Sequence, residues 1–390
     1  IELQKYTTIC INKGNIVTHE RLGYYLVGKN KFSNKTHALL ESKKSGHDIS
    51  WIFNDSVYGN IDWSVPINVP LMELYKARAL QLRQQYDYLI LYYSGGADST
   101  NVLHAFIDNN IFIDEILMWD CEPTNATGNN KDFSNKNYNS EIKYAAMVHL
   151  DKVKNTLDPN TKITLKDFTK TGLEVISKHD NWYETVPLGL TLCISNILRQ
   201  ITQEHDAHFL RQQDTGKSTC YIMGIDKPLV CKEGDDYYAY FQDTGAYHVM
   251  SPVDFTGVSD HVTTEYFYWT PDFPEIVVKQ SQLIKAHYEL NPSIQHMADK
   301  ALTTHVGEYK SIIHDAIYPR EFCETFQAEK PSQLVRRPMD NWFWKTADQR
   351  IKMNYLETIK YLGQNTDPKH MIRNNINWGI AAHRSKFYKL

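Results

Sequence analysis

The spacing of apolar positions changes abruptly near residue 88. Upstream, Leu71, Leu74, Ala77, Leu80 and Leu82 recur at roughly helical intervals, which predicts a helix over 71–87. At 88–93 the chain reads YLILYY, an unbroken apolar run expected of a parallel strand buried on both faces. Helical and strand patterns then alternate: helix 98–110, strand 113–120, amphipathic helix 139–155, strand 161–169, one or two helices across 171–213 broken near Pro187, and strand 219–226. A β-α-β-α-β-α-β order predicts an α/β fold on a doubly wound, mostly parallel sheet.

The flanks follow other patterns. Residues 1–68 predict a small N-terminal α+β segment. TTICI, RLGYYLV and DISWIF are strand-prone, THALLESKKSG reads as a short helix ending in glycine, and Pro66 and Pro70 mark the exit. After the last strand, antiparallel hairpins with turns at Gly234 and Gly245 are expected. From Pro274 the pattern is mainly helical, over 274–290, 293–304, 308–317, 320–328 and 346–362. The expected organisation is therefore 1–68, a central domain at 69–250, and a mainly helical region at 251–390.

Composition narrows the classes. Hydrophobic residues make up 42% of the 390 positions, enough for a sizeable core and too many for a disordered chain. Lys+Arg is 42 against 46 Asp+Glu, so no overall basic excess points to nucleic acid, although a local basic groove stays open. Six scattered cysteines with no C-x-x-C pair argue against a zinc ribbon, a thioredoxin-like motif or a disulfide scaffold, and favour a reducing cytoplasm. No apolar run has the length of a membrane helix, and the first residues lack the apolar stretch of a signal peptide. The missing initiator Met suggests a processed N-terminus. Richness in Asn, Lys and Tyr suggests an AT-rich genome such as that of a phage or a low-GC bacterium.

The chemistry concentrates where the buried run ends, at Leu91-Tyr92-Tyr93-Ser94-Gly95-Gly96-Ala97-Asp98-Ser99-Thr100. A strand stops, two glycines turn the chain, and a helix begins. Glycines accept positive φ and present no Cβ to an anion. Successive N–H groups can then line one concavity, and the helix N-terminus adds more donors and its positive dipole end. Ser94, Ser99 and Thr100 bring hydroxyls to phosphate oxygens. Asp98 would repel phosphate unless a bridging Mg²⁺ sits between them. The layout suits a pyrophosphate group with its metal. It is neither a G-x-x-x-x-G-K-[ST] loop nor a G-x-G-x-x-G turn.

The run matches S-G-G-x-D-S, and over roughly 86–227 the chain resembles the PP-loop ATP pyrophosphatase superfamily. That superfamily, adenine nucleotide alpha hydrolase-like in fold (the HUP class), includes asparagine, GMP and NAD synthetases, tRNA lysidine synthetase, several tRNA thiolases and 7-cyano-7-deazaguanine synthase. The resemblance implies cleavage of ATP to AMP and pyrophosphate, with adenylation of an acceptor that a nucleophile then attacks. It implies that Ser94, Gly95, Gly96, Asp98, Ser99 and Thr100 hold the pyrophosphate end, and that Met118, Trp119 and Asp120 lie near the adenine or ribose. Gly224 and Asp226 then face the site, Asp226 holding metal or acceptor and Lys227 neutralising phosphate charge; the other reading of Asp226-Lys227-Pro228 is an ordinary turn. ATP and Mg²⁺ are the implied cofactors, with Asp98 and Asp226 on the metal. The cysteine pairs, the amidotransferase domain and the E-C-G-x-H tail of better-known branches are absent from the chain, so its branch stays open.

Three functions follow. The first is an amide-forming ligase acting on an acceptor carboxylate or carbonyl oxygen, with nitrogen from ammonia or an amine. The second is a nucleoside or nucleic-acid modification enzyme, thiolation included. The third is an ATP-sensing module without turnover. The acceptor is unidentified, a separate nitrogen- or sulfur-donor protein is an open partner, and no membrane is expected.

Other clusters have two readings each. The run 214–219, DTGKST, is a basic loop near the phosphates or a solvated loop. His205 and His208 are metal ligands or surface histidines. Cys121 is a thiol at the adenylate or a small buried residue. The aromatic run 267–274 with Lys279 stacks on a base or packs between domains. Arg336, Arg337, Trp342, Trp344 and Lys345 contact phosphate or form a helix cap or interface.

Overall fold

In the computed structural model, residues 21–120, 142–178, 197–203, 216–225, 227–243, 261–300, 313–319, 343–373 and 378–390 are described below. The N-terminal segment builds a three-stranded antiparallel sheet from β1 (Tyr24–Val27), β2 (Asn30–Phe32) and β3 (Ile49–Ile52), with β1 in the centre. Helix α1 (Lys35–Ser45) packs on it. Both ends of α1 are written in the sequence. The Asn34 side chain accepts from Thr36 N, and Gly46, at φ 75°, donates its N–H to Ser42 O. A single turn, α2 (Asp55–Tyr58), and helix α3 (Leu71–Gln85), entered through Pro70, lead into the central sheet.

That sheet holds β4 (Tyr88–Tyr92), β5 (Glu115–Asp120), β6 (Lys162–Asp167), β7 (Thr219–Met223) and β10 (Val262–Tyr266). Its order is β10-β7-β4-β5-β6, and every neighbouring pair is parallel. Tyr88 sits opposite Thr219 and Tyr92 opposite Met223. The chain thus starts in the middle, steps out through β5 to β6, and returns to the far side of β4. The order of connection reverses between β4 and β7, the switch point at which an open parallel sheet offers a crevice beyond its strand ends. Helix α4 (Ala97–Ile107) follows β4 and packs on α3; a π-helical turn (Ile142–Ala146) runs into α5 (Met147–Val153) after β5; α6 (Thr169–Lys178) follows β6.

The segment 251–390, expected to be mainly helical, differs in two ways. First, it supplies β10, the fifth strand of the sheet. VTTEY hides as a strand because Glu265 breaks its apolar pattern. That carboxylate is buried against Arg78 at 3.0 Å and Arg21 at 3.2 Å, an ion pairing no local pattern reveals. Second, the end of the chain is extended. The hairpin of β8 (Leu229–Glu233) and β9 (Asp236–Tyr240), with Gly234 at φ 61° in its turn, gains a third strand. After helices α7 (Glu275–Leu290), α8 (Gln295–Lys300) and α9 (Gln349–Asn365) and a short pair, β11 (Met371–Arg373) and β12 (Trp378–Ile380), strand β13 (Tyr388–Lys389) pairs with β9. Helix α9 begins three residues later than the pattern predicts because Asp348 is its N-cap, accepting from Arg350 N at 2.8 Å.

One aromatic cluster joins these parts. Phe53 and Tyr58 from the N-terminal segment, Phe241 from the end of the hairpin, Trp269 after β10 and Tyr388 of β13 are buried together, with Phe241 and Trp269 rings 5.0 Å apart. The aromatic run 267–274 is therefore core: Phe267, Tyr268 and Trp269 are fully buried, and Lys279 Nζ donates to Ile67 O rather than facing a ligand. Beside the cluster, Lys35 Nζ donates to Asp243 Oδ2 at 2.6 Å and to Ala381 O at 2.6 Å. Tyr25 OH and His383 N donate to the same carboxylate, at 2.8 and 2.9 Å.

Candidate functional site

The loop after β4 has a shape only glycine permits. Gly95 sits at φ +75°, and a Cβ there would lie 2.4 Å from Ala146 N and 2.6 Å from Ala146 Cα. The π-helical turn ahead of α5 therefore lies flat against the loop. Gly95→Ala combines left-handed strain with a backbone clash and is expected to cost about 2–4 kcal/mol, read as a lower midpoint in chemical denaturation.

The hydroxyls close the loop on itself. Ser99 Oγ donates to Gly96 O at 3.2 Å and accepts from Ser94 N at 3.2 Å; Gly96 N donates to Ser94 Oγ at 3.3 Å. Helix α4 then starts at Gly96, whose carbonyl accepts from Thr100 N at 2.9 Å; among the described residues no side chain caps it. From the other side of the crevice, the exit of β7 crosses this first turn at Gly224. A Cβ at Gly224 would come within 3.2 Å of Ser99 Cα and 3.3 Å of Asp98 O. The two loops predicted to share a site are thus in contact, and their closeness rests on glycine.

Asp98 is the hub. Its carboxylate accepts from Lys227 Nζ and from Tyr318 OH, the latter at 2.6 Å. Its backbone carbonyl accepts from Tyr268 OH at 2.9 Å, and that hydroxyl in turn accepts from Asn101 Nδ2 at 2.9 Å. The Lys227 side chain is 1% exposed and that of Asp98 27%, so the pair is sunk to the edge of solvent. Burial, then the Asp98 charge, drives the Tyr318 hydroxyl well above its ordinary value; burial, then Tyr75 and Asp98, does the same for Tyr268. Both hydroxyls stay protonated donors. Both donors to the carboxylate reach the same oxygen, Asp98 Oδ1. Tyr268 and Tyr318 lie 170 and 220 residues away in sequence, and no local pattern marks them.

The remaining predicted residues divide. Thr100 is fully buried, with its hydroxyl 3.3 Å from Tyr93 OH, so it lies behind the loop instead of lining it. Met118 is fully buried in β5, so its side chain belongs to the core. Trp119 packs edge-on to Tyr92 at the strand's end, 6.0 Å between ring centres, and Asp120 O accepts from Phe168 N at 3.2 Å. Asp226 lies outside the described residues, as do Cys121, His205, His208, Arg336, Arg337 and Trp342. Trp344 packs on Phe343 and Tyr355, and Lys345 is exposed. Of the run 214–219, Ser218 is bound to Asp87 (2.8 Å between Oγ and Oδ2), just before β4 and β7 begin. That end of the sheet is opposite the glycine loop, so the described residues of this run lie away from the loop.

No group of three or more His, Cys, Asp or Glu side chains converges among the described residues. The single carboxylate of Asp98, which Lys227 and Tyr318 hold through Oδ1, is within the need of Mg²⁺, which takes one or two carboxylates and fills its remaining positions with phosphate oxygens and water. No helix is long and apolar enough to cross a membrane among the described residues. No protein-family model matches the chain, and no curated protein matches it.

Proposed function

We propose that this protein is an AMP-forming ATP pyrophosphatase with a HUP-like, doubly wound central domain. One observation carries the reading. The Ser94–Thr100 loop leaves the central strand where strand order reverses, and the loop after β7 meets it there, pairing Lys227 with Asp98. Ligands of open parallel sheets bind at that crevice.

In this reading the loop N–H groups and the first turn of α4 take the pyrophosphate end of ATP. Ser94 and Ser99, now turned inward, exchange loop contacts for phosphate oxygens. Mg²⁺ when bound neutralises phosphate charge, with Asp98 and Asp226 as its protein ligands. Lys227, set in place by Asp98, puts a fixed cation beside the charge that develops on pyrophosphate as it leaves. Trp119 and Asp120, at the mouth of β5, border the adenosine. The parts of 251–390 outside the sheet recognise the acceptor, a carboxylate or carbonyl oxygen attacked by a nitrogen nucleophile.

Incubation with Mg²⁺ and ATP labelled on the α-phosphate, alone and with metabolite, RNA or DNA pools, tests this. Labelled AMP with released pyrophosphate is expected. Labelled ADP would overturn the reading, and stimulation only by RNA or DNA would move the acceptor to a nucleic acid.

A further inference from the structure

Behind the glycine loop lies a second polar cluster with no part in the reading above. His104 stands near the end of α4 and His149 in α5. Their rings face each other, with Nε2 3.1 Å from Nε2. Each ring is anchored at its other nitrogen: His104 Nδ1 lies 3.0 Å from an Asp108 oxygen, and His149 Nδ1 lies 2.7 Å from Tyr93 OH. Tyr93 OH is in turn 3.3 Å from Thr100 Oγ1.

The Asp108 carboxylate sets every proton in this chain. It can only accept, so His104 carries its proton on Nδ1 and offers a lone pair at Nε2. His149 must then donate from Nε2 and accept at Nδ1. Tyr93 donates to that nitrogen, and Thr100 donates to Tyr93.

We propose that His104 and His149 form a two-histidine site for a divalent transition ion of the zinc class. Two nitrogens bound at the usual distance to a tetrahedral ion lie about 3.3 Å apart, close to the separation of this pair. The anchoring suits zinc histidines: the Asp108 carboxylate accepts from His104 Nδ1, and the Tyr93 hydroxyl can accept from His149 Nδ1 once that ring's proton has moved there. The rings come from separate helices, so the ion would clamp α5 to α4. Water completes the coordination, since no third protein ligand of the usual kinds converges among the described residues.

Binding is balanced in protons. Two dative bonds form from the Nε2 atoms, and the six-coordinate hydrated ion sheds four waters and keeps two as it becomes tetrahedral. The His149 proton moves from Nε2 to Nδ1 through solvent, with none released. His149 then donates to Tyr93, and Tyr93 to Thr100. The direction of the chain reverses, and the Thr100 hydrogen turns away from Tyr93. That last step touches the loop of the proposed function, but the metal site does not depend on that reading.

Calorimetric titration of the full chain with zinc alone tests the site. One ion per chain is expected in the tightest phase, absent in His149→Gln and weakened on the order of 10- to 100-fold in Asp108→Asn. Asp108 is 54% exposed, so its variant reports even if His149→Gln fails to fold. Nitrogen-15 spectra of the histidine rings add a structural readout: the His149 proton should move from Nε2 to Nδ1 as zinc is added. Zinc binding that is equal in wild type and Asp108→Asn, an unmoved His149 proton, or no saturable ion at all would overturn the proposal.

Discussion

Asp98→Asn is expected, under the proposed function, to lower the conversion of ATP to AMP by on the order of 10²- to 10³-fold, the usual loss when one preorganised electrostatic group is removed from a reacting centre. The substitution keeps an oxygen for Tyr318 to donate to, and leaves the bond from Tyr268 to the backbone carbonyl untouched. It removes only the charge that faces Lys227. The part of that charge that serves stability alone is isolated in the double variant with Lys227→Met. Stability lost in Asp98→Asn should return in the double variant, because no buried ammonium is left facing a neutral amide. Turnover should not return. Recovery of turnover in the double variant would remove both Asp98 and Lys227 from the reacting centre, and wild-type turnover in Asp98→Asn would remove the loop from the active site.

The second large effect is on stability. Lys35→Met leaves the Asp243 carboxylate at the junction of the N-terminal segment, the hairpin and the chain's end without its main counter-charge. Breaking one side of a buried pair costs about 3–5 kcal/mol, which corresponds to a fall of about 4–6 °C in Tm for a chain of this size. Lys35→Met with Asp243→Leu should recover much of the loss. The pH dependence has a definite sign. Burial pushes the Asp243 carboxyl up, but Lys35 and His383 more than offset it, and the folded-state value lies below the ordinary one. Its contribution is present above the ordinary aspartate range and disappears as pH falls through the lowered folded value. Thermal melts of wild type should therefore lose stability below about pH 4, and the double variant should lose less. Equal acid sensitivity in both would show that other carboxylates govern the acid limb.

Much of the frame could be read from the chain because it rests on local rules. Alternating helical and strand patterns between 71 and 223 predicted strands that the structure places in one parallel sheet. Asn34 and Gly46 bracket α1 by capping, and Gly95 bends the loop by a positive φ that glycine alone adopts without cost. These are decided within a few residues.

What the sequence by itself determined, then, is the α/β class, the strand-turn-helix at 88–107 and the glycine loop at its centre. Tertiary structure alone decided the rest. Strand β10 forms because Arg78 and Arg21 neutralise a glutamate that masks its pattern. Tyr268 and Tyr318 reach Asp98 only when the chain folds back on α4, and His104 meets His149 only when α5 lies against the loop. The physical reason is the same throughout. Backbone propensity and periodicity act between neighbours in sequence, whereas a buried charge or hydroxyl is satisfied by whichever group folding brings within hydrogen-bonding reach.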